Sequence, residues 1–318
     1  MNSGKVSNSI LKRSVLKLIK KVNKDILQGP AIGVDCAQIA GKDGCNIVTA
    51  VSSADYAVFR VCNNIAVAGG RCTAITCSVI MPRDFEEAQL KSIMKNVQEQ
   101  CDILQVGIAG GNTMVSDAVV KPVVNINGIG MVENGKYCSM KNVKPNQDII
   151  VTKWIGIEGA NMLADLKQED ILKRYRMDLI SAARGNIDDM SIQREAEIAA
   201  SVGISAMSDV SEGGIFASLW NMSEAGNVGF EVDFKKISVK QEIIEVCEIF
   251  DVNPYEMMSS GCLLMTSERG CDIVKILNNN GIEAVIIGKT TAGNDKIIKN
   301  DDEIRYLDPP QRDEIYKI

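Results

Sequence analysis

The sequence predicts an α/β (α+β) chain of two domains, and three observations lead there. At 318 residues it exceeds one ordinary hydrophobic core and suits two domains of roughly 150 residues each. Apolar residues make up 46% of it and aromatics only 4%, so Val, Ile, Ala, Met and Gly must fill packed layers of sheet and helix. Strand-like and helix-like runs alternate along both halves.

The elements follow in order. Lys12, Arg13, Lys17, Lys20, Lys21 and Lys24 alternate with Leu11, Val15, Leu16, Leu18, Ile19 and Val22 at helical spacing, which predicts an amphipathic helix with a solvated basic face. Gly29-Pro30-Ala31-Ile32-Gly33 is a turn signal. Strands are expected over 45–51, 71–81, 103–108 and 119–132, with helices over 55–68 and 85–101 between them. The second of these helices carries Ala88, Leu90, Ile93, Met94 and Val97 on one face. A polar Lys-Pro-Asn-Gln-Asp stretch ending at Asp148 sets a boundary, giving domains 1–148 and 149–318. The second domain restarts with a strand at 149–153. Helices are then expected near 168–183, 191–202, 215–225 and 240–250, with a glycine turn at 213–214 and strands around Leu263 and Val285. From Asn300 the chain is polar and holds Asp308-Pro309-Pro310, so a surface strap or flexible extension is expected.

Composition excludes several functions. A net charge of -6 disfavours nucleic-acid and anionic-membrane partners. No run approaches the roughly 18 apolar residues of a spanning helix, and no signal-peptide core opens the chain, so a cytoplasmic location is expected. The ten cysteines form no CxxC pair and most sit singly in apolar runs, as buried reduced thiols do. Histidine is absent, which removes every Ser-His or Cys-His nucleophile and every imidazole metal ligand. Acid-base or metal chemistry must then use Asp, Glu, Lys, Cys or Tyr, and hard oxygen ligands suit Mg²⁺.

Five segments could carry chemistry. Asp35 in Gly33-Val34-Asp35-Cys36-Ala37 is a carboxylate after a glycine turn, a place where a lone Asp is most often a turn residue or cap. Asn63 and Asn64 are amides in an apolar helix that ends at Gly69-Gly70. Gly110-Gly111-Asn112-Thr113 follows a strand-like run, where two glycines open backbone N–H groups to an anion; a tight strand-end turn explains it equally well. Gly156-Ile157-Glu158-Gly159 and Ser208-Asp209-Val210-Ser211-Glu212-Gly213-Gly214 each place an acid and glycines at a helix start, where the dipole favours anions and where capping is the ordinary use. Asp209 and Glu212 together would also suit a cation held by oxygens.

Taken in order, these segments resemble the superfamily of aminoimidazole ribonucleotide (AIR) synthase, thiamine-monophosphate kinase, selenophosphate synthetase and hydrogenase-maturation carbamoyl dehydratase, closest to its hydrogenase-maturation members. The resemblance runs from about Lys5 to Gly288 and includes Gly4-Lys5-Val6-Ser7-Asn8, Asn63-Asn64-Ile65-Ala66 and Val246-Cys247-Glu248-Ile249-Phe250. It implies an N-terminal sheet that forms a dimer β-barrel with flanking helices, and a C-terminal α/β sandwich. It implies ATP and Mg²⁺ as cofactors, with phosphorylation or dehydration of a small carbonyl, amide or phosphate substrate. On the same resemblance Asp35 and Asp209 would bind metal, and Lys5, Asn64, Gly110, Gly111, Asn112, Thr113, Glu158, Gly213 and Gly214 would hold the nucleotide. A homodimer and a maturation-protein partner are further implications.

The chain also departs from the family pattern. Asn64 stands where the family's Asn-Asp pair has its acid, and Ser52-Ser53-Ala54-Asp55 lacks a Thr-Asp, so Mg²⁺ affinity should fall. The last residues lack the cysteine that hydrogenase-maturation members use to carry carbamoyl, which disfavours cyanide-ligand synthesis by that route. The alternative reading is a non-catalytic member that binds nucleotide or metabolite and acts through protein partners.

Overall fold

The computed structural model describes residues 6–20, 23–53 and 55–318, in two compact units. The N-terminal unit comprises Asn23–Gly29 and Asp35–Tyr137. The C-terminal unit comprises Pro30–Val34, Cys138–Ile318 and the described residues before position 21. Helix α1 (Asn8–Ser14) is shorter than the basic periodicity predicts, and only a 3-10 turn at Leu16–Leu18 follows it. Val15, Leu18 and Ile19 are exposed, so the apolar stripe lacks the tertiary cover that sustains a helix of this length. Lys21 and Val22 lie outside the described residues.

The N-terminal unit is a six-stranded sheet of β1 (Ile26–Gln28), β2 (Ala37–Ile39), β3 (Cys45–Ser52), β4 (Arg71–Met81), β5 (Gly107–Val115) and β6 (Val123–Glu133), in the order β1-β2-β3-β6-β4-β5. Only β4 and β5 run parallel, joined by the crossover helix α3 (Glu87–Leu104). Helix α2 (Ala57–Val67) is buried along nearly its whole length and packs on β3, β6 and β4. Gly128 and Gly130 of β6 permit that approach. A Cβ at 128 would stand 2.9 Å from Val61 Cβ, and one at 130 would stand 2.6 Å from Ile65 Cγ2 and 2.5 Å from the Arg71 carbonyl. Strand alternation turns Val48, Ala50, Ile126 and Val132 inward and leaves Ile47, Val51, Val123 and Met131 exposed on the opposite face.

The C-terminal unit is built on a seven-stranded sheet. Its strands are β7 (Asp148–Thr152), β8 (Ala206–Asp209), β9 (Gly229–Asp233), β10 (Leu263–Ser267), β11 (Ala284–Thr291), β12 (Lys296–Asn300) and β13 (Glu303–Tyr306). They run in the order β13-β12-β9-β11-β7-β10-β8, all antiparallel except β12 with β9. Its helices are α4 (Ile157–Leu166), α5 (Gln168–Leu172), α6 (Met177–Arg184), α7 (Gln193–Val202), α8 (Gly214–Gly226), α9 (Gln241–Ile249) and α10 (Gly270–Asn279). Ile215, Leu219 and Met222 of α8 pack on one sheet face against Ile149, Val151, Phe230, Leu264 and Ile287. Helix α10 packs with α7 and against β7 and β11. A second core joins α4, α6 and α9 through Leu163, Ile180, Ile243 and Val246. The run 168–183, expected as one helix, breaks between α5 and α6.

Two further expectations change. Residues 103–104 finish α3, and Gly110 to Thr113, expected as a turn, lie inside the edge strand β5 opposite residues 76–79 of β4. A Cβ at Gly111 would come 2.0 Å from the Cys77 carbonyl, so glycine there serves a close strand approach. The tail is no loose extension: Asp313, Glu314 and Ile315 are buried, with Ile315 in the α4-α6-α9 core. No described helix is long and apolar enough to cross a membrane.

Candidate functional site

In the C-terminal unit, the two acid-and-glycine segments open α4 and α8, and one loop ties them together. Gly156 caps α4 at φ +78°, where a side chain would meet Ile243, and Glu158 in the first turn is fully buried. Gly213 and Gly214 open α8 at φ +83° and +64°; a Cβ at 214 would stand 2.5 Å from the Tyr255 carbonyl. The connecting loop is 257–262. Gly156 N–H donates to Ser259 Oγ at 2.7 Å, and Gly159 N–H to the Met258 carbonyl at 2.9 Å. On the other side, Asp209 Oδ1 accepts from Gly261 N–H at 3.2 Å, and Val210 N–H donates to the Cys262 carbonyl at 2.9 Å. Asp209 ends β8 and is 4% exposed, so this carboxylate is fixed and nearly dry. On the same loop Ser260 Oγ is buried with no hydrogen-bond partner among the described residues.

Behind the loop lies an ion pair that sequence reasoning missed. Lys153 Nζ sits 2.7 Å from Glu195 Oε1 and donates to the carbonyls of Asp189 and Ser191 at 2.8 and 2.7 Å. Both side chains are largely buried, so the three oxygens around one ammonium fix the turn that leads into α7. Cys262 is packed beside this group. Burial pushes its thiol up to about 12, with Asp209 and Glu195 adding to the shift and Lys153 opposing it. Nothing in the spacing of Lys153 and Glu195 marks them as partners, because they meet only through the fold.

The tail also reaches this site. The Gly213 N–H donates to Asp313 Oδ2 at 2.5 Å, and Ile315 N–H to Asp313 Oδ1 at 3.0 Å. A carboxylate of the chain itself therefore takes an N–H at the start of α8, the kind of place that suits an anion. Burial raises Asp313 to about 6, with Glu212 adding to the shift and the backbone donors opposing it.

In the N-terminal unit, Asp35 is half-buried just before β2. Its neighbour Cys36 donates its thiol to the Asn64 carbonyl at 3.0 Å, which brings the acidic turn against the last turns of α2. Asn63 is fully buried and Asn64 half-buried on that helix. Burial pushes the Cys36 thiol well up, with Asp35 adding to the shift. Gly110, Gly111, Asn112 and Thr113 are exposed on β5, with three strands between them and β2, so the sheet keeps them apart from Asp35. Lys5 lies outside the described residues. Among the described residues, no three Cys, Asp or Glu side chains are grouped so as to hold a metal by themselves.

Family models described as AIR synthase related protein, N-terminal domain and C-terminal domain, match residues 33–132 and 144–300. The chain belongs to the AIR synthase related family. Within it the likeness is to hydrogenase-maturation members. A Methanocaldococcus jannaschii protein named for hydrogenase expression/formation is 29% identical over 239 residues, 74% of this chain and 69% of that one. The carbamoyl dehydratase HypE of Rhodobacter capsulatus is 24% identical over 271 residues, 80% of this chain and 77% of its own. Among solved structures, the hydrogenase maturation protein HypE in complex with ATP superposes with a TM-score of 0.72 at 17% identity, over 99% of this chain and 97% of that one. The AIR synthase related match ends at residue 300, so β13, the strap after it and the Asp313 anchor lie beyond it.

Proposed function

We propose that this chain is an ATP-dependent enzyme of the HypE-like branch that phosphorylates or dehydrates a small carbonyl, amide or phosphate substrate. The observation that carries this reading is the pair of helix starts joined by loop 257–262, with Glu158, Asp209 and the unpartnered Ser260 hydroxyl buried around it. Two glycine-opened N-termini favour anions, and a buried unpaired hydroxyl fits a phosphate-bearing ligand. On this reading Glu158, Gly213 and Gly214 hold nucleotide in the C-terminal unit; Lys5, Asn64 and residues 110–113 do so in the N-terminal domain 1–148. Single carboxylates rather than a metal cage also fit, because Mg²⁺ is commonly held by one or two carboxylates together with substrate phosphates. Asp35 in the N-terminal unit and Asp209 in the C-terminal unit would each offer a carboxylate to Mg²⁺, which when bound would neutralise charge on a transferring phosphoryl group. The likeness to a solved HypE–HypF complex, at a TM-score of 0.71 and 21% identity, supports a maturation protein as partner.

Calorimetric titration with ATP tests the reading. Micromolar binding that requires Mg²⁺ is expected, and Asp35→Ala should weaken it at least tenfold. Full ATP binding and turnover in that variant would sink the metal role. A second reading, binding without turnover, is favoured by Asn64 in the family's acidic position and by the Asp313 carboxylate on Gly213. Tight ATP binding with no phosphate release across carbonyl, amide and phosphate substrates would favour it.

A further inference from the structure

A cavity of about 690 Å³ lies within the C-terminal unit, between the start of α8 and the segment that follows β13. That volume is in the range of small-ligand pockets. One side is aromatic: Phe216 and Tyr255 stack with centroids 5.6 Å apart, and Phe234 meets Tyr255 at 4.5 Å. Tyr306 adds a fourth ring. The whole chain holds only six Phe, six Tyr and two Trp, so four aromatics on one cavity is a marked concentration. Leu307, Pro309 and Pro310 close it from a segment outside the family match.

The charges of this cavity are unevenly partnered. Arg305 is engaged by Glu303, whereas Arg312 forms no ion pair among the described residues: it donates to the Tyr316 carbonyl with its guanidinium over the Tyr316 ring, and its buried Nε finds no partner there. Two carboxylates, Glu256 and Asp308, also line the cavity and form no ion pair among the described residues. Burial, reinforced by Glu314 and Asp308, raises Glu256 above its ordinary range, and Lys317, which pairs with Glu314, only partly offsets this. Aromatic faces beside unpaired carboxylates attract a cation both through the ring quadrupoles and by charge.

We propose that this cavity is a binding site for a small organic cation, of the amidinium, guanidinium or alkylated-ammonium class, held against Phe234 and Tyr255 with its charge beside Glu256. The neutral half of such a ligand rests on the apolar strap, and the Asn300 amide on the cavity wall can accept from its N–H groups. The cavity adjoins the start of α8, where Gly213 lines it as well.

Benzamidine is the probe, with benzoate as a control of the same shape and opposite charge. In the full chain labelled with 3-fluorotyrosine, the six tyrosines give separate fluorine signals, and Tyr255→Phe and Tyr306→Phe assign two of them. Benzamidine should shift the Tyr255 and Tyr306 signals saturably, benzoate should not, and Glu256→Gln should weaken benzamidine at least tenfold. Phe234→Leu should weaken it as well, which tests the ring contribution without removing charge. The proposal is overturned if benzamidine leaves both signals unmoved, if benzoate shifts them equally, or if Glu256→Gln binds as the parent does.

Discussion

At the residue scale, Asp313 shows how far position in the fold can change the meaning of a side chain. In the sequence it is one acid in a polar tail; in the structure it is buried against the α8 start and raised from 3.8 to about 6. Its folded-state value lies above its unfolded one, so the folded protein holds a proton that the unfolded chain releases. That contribution is fully present below about pH 4 and is lost as pH rises through 6, a swing of about 3 kcal/mol. Asp313→Asn should remove it. Urea midpoints of parent and variant between pH 4 and 7 should then diverge by a pH-dependent difference confined to this window, and a constant difference would contradict the assignment. Asp209 was identifiable in the sequence from its glycine-rich setting, whereas the Lys153 and Glu195 pair was not. The difference is physical: a helix-start motif is local, and an ion pair between residues 42 positions apart exists only once β7 and α7 are placed.

At the element scale, long periodic segments and short continuous apolar runs such as β7 and β10 were readable, and several other short or glycine-bearing strands were not. Strands β3 and β4 and helices α2, α3, α8 and α9 fall close to where apolar spacing puts them, because each buries a continuous face. The four- and five-residue strands β8, β9, β12 and β13 carry too few alternations to show a period. Strand β5 was mistaken for a turn because Gly110-Gly111 imitates one, yet an exposed edge strand asks little packing of its side chains. The opposite demand holds in β6, where Gly130 makes room for α2. Gly130→Val should destabilise the protein by about 1–3 kcal/mol, since the Arg71 carbonyl and Ile65 cannot both retreat. Urea unfolding measures it, and an unchanged midpoint would show that the α2 approach is looser than the contacts indicate.

At the scale of the whole molecule, the exposed apolar row Ile47, Val51, Val123 and Met131 gives the expected homodimer a physical basis. A sheet face carrying this much unpartnered apolar surface is the kind that pairs with a second copy. Sedimentation equilibrium should therefore return twice the chain mass, and Val51→Lys combined with Met131→Lys should return the monomer. A parent chain that sediments as a monomer would remove this face as a dimer contact.

By itself the sequence determined the fold class, the family and the five acid or glycine segments, because these rest on periodicity and on motifs a few residues long. The tertiary structure alone decided that one loop joins the starts of α4 and α8, that residues 110–113 lie three strands from β2, and that the tail is anchored by a buried acid. These depend on contacts between segments far apart in the chain, where the burial and partner of a charge are set by packing and leave no local pattern to read.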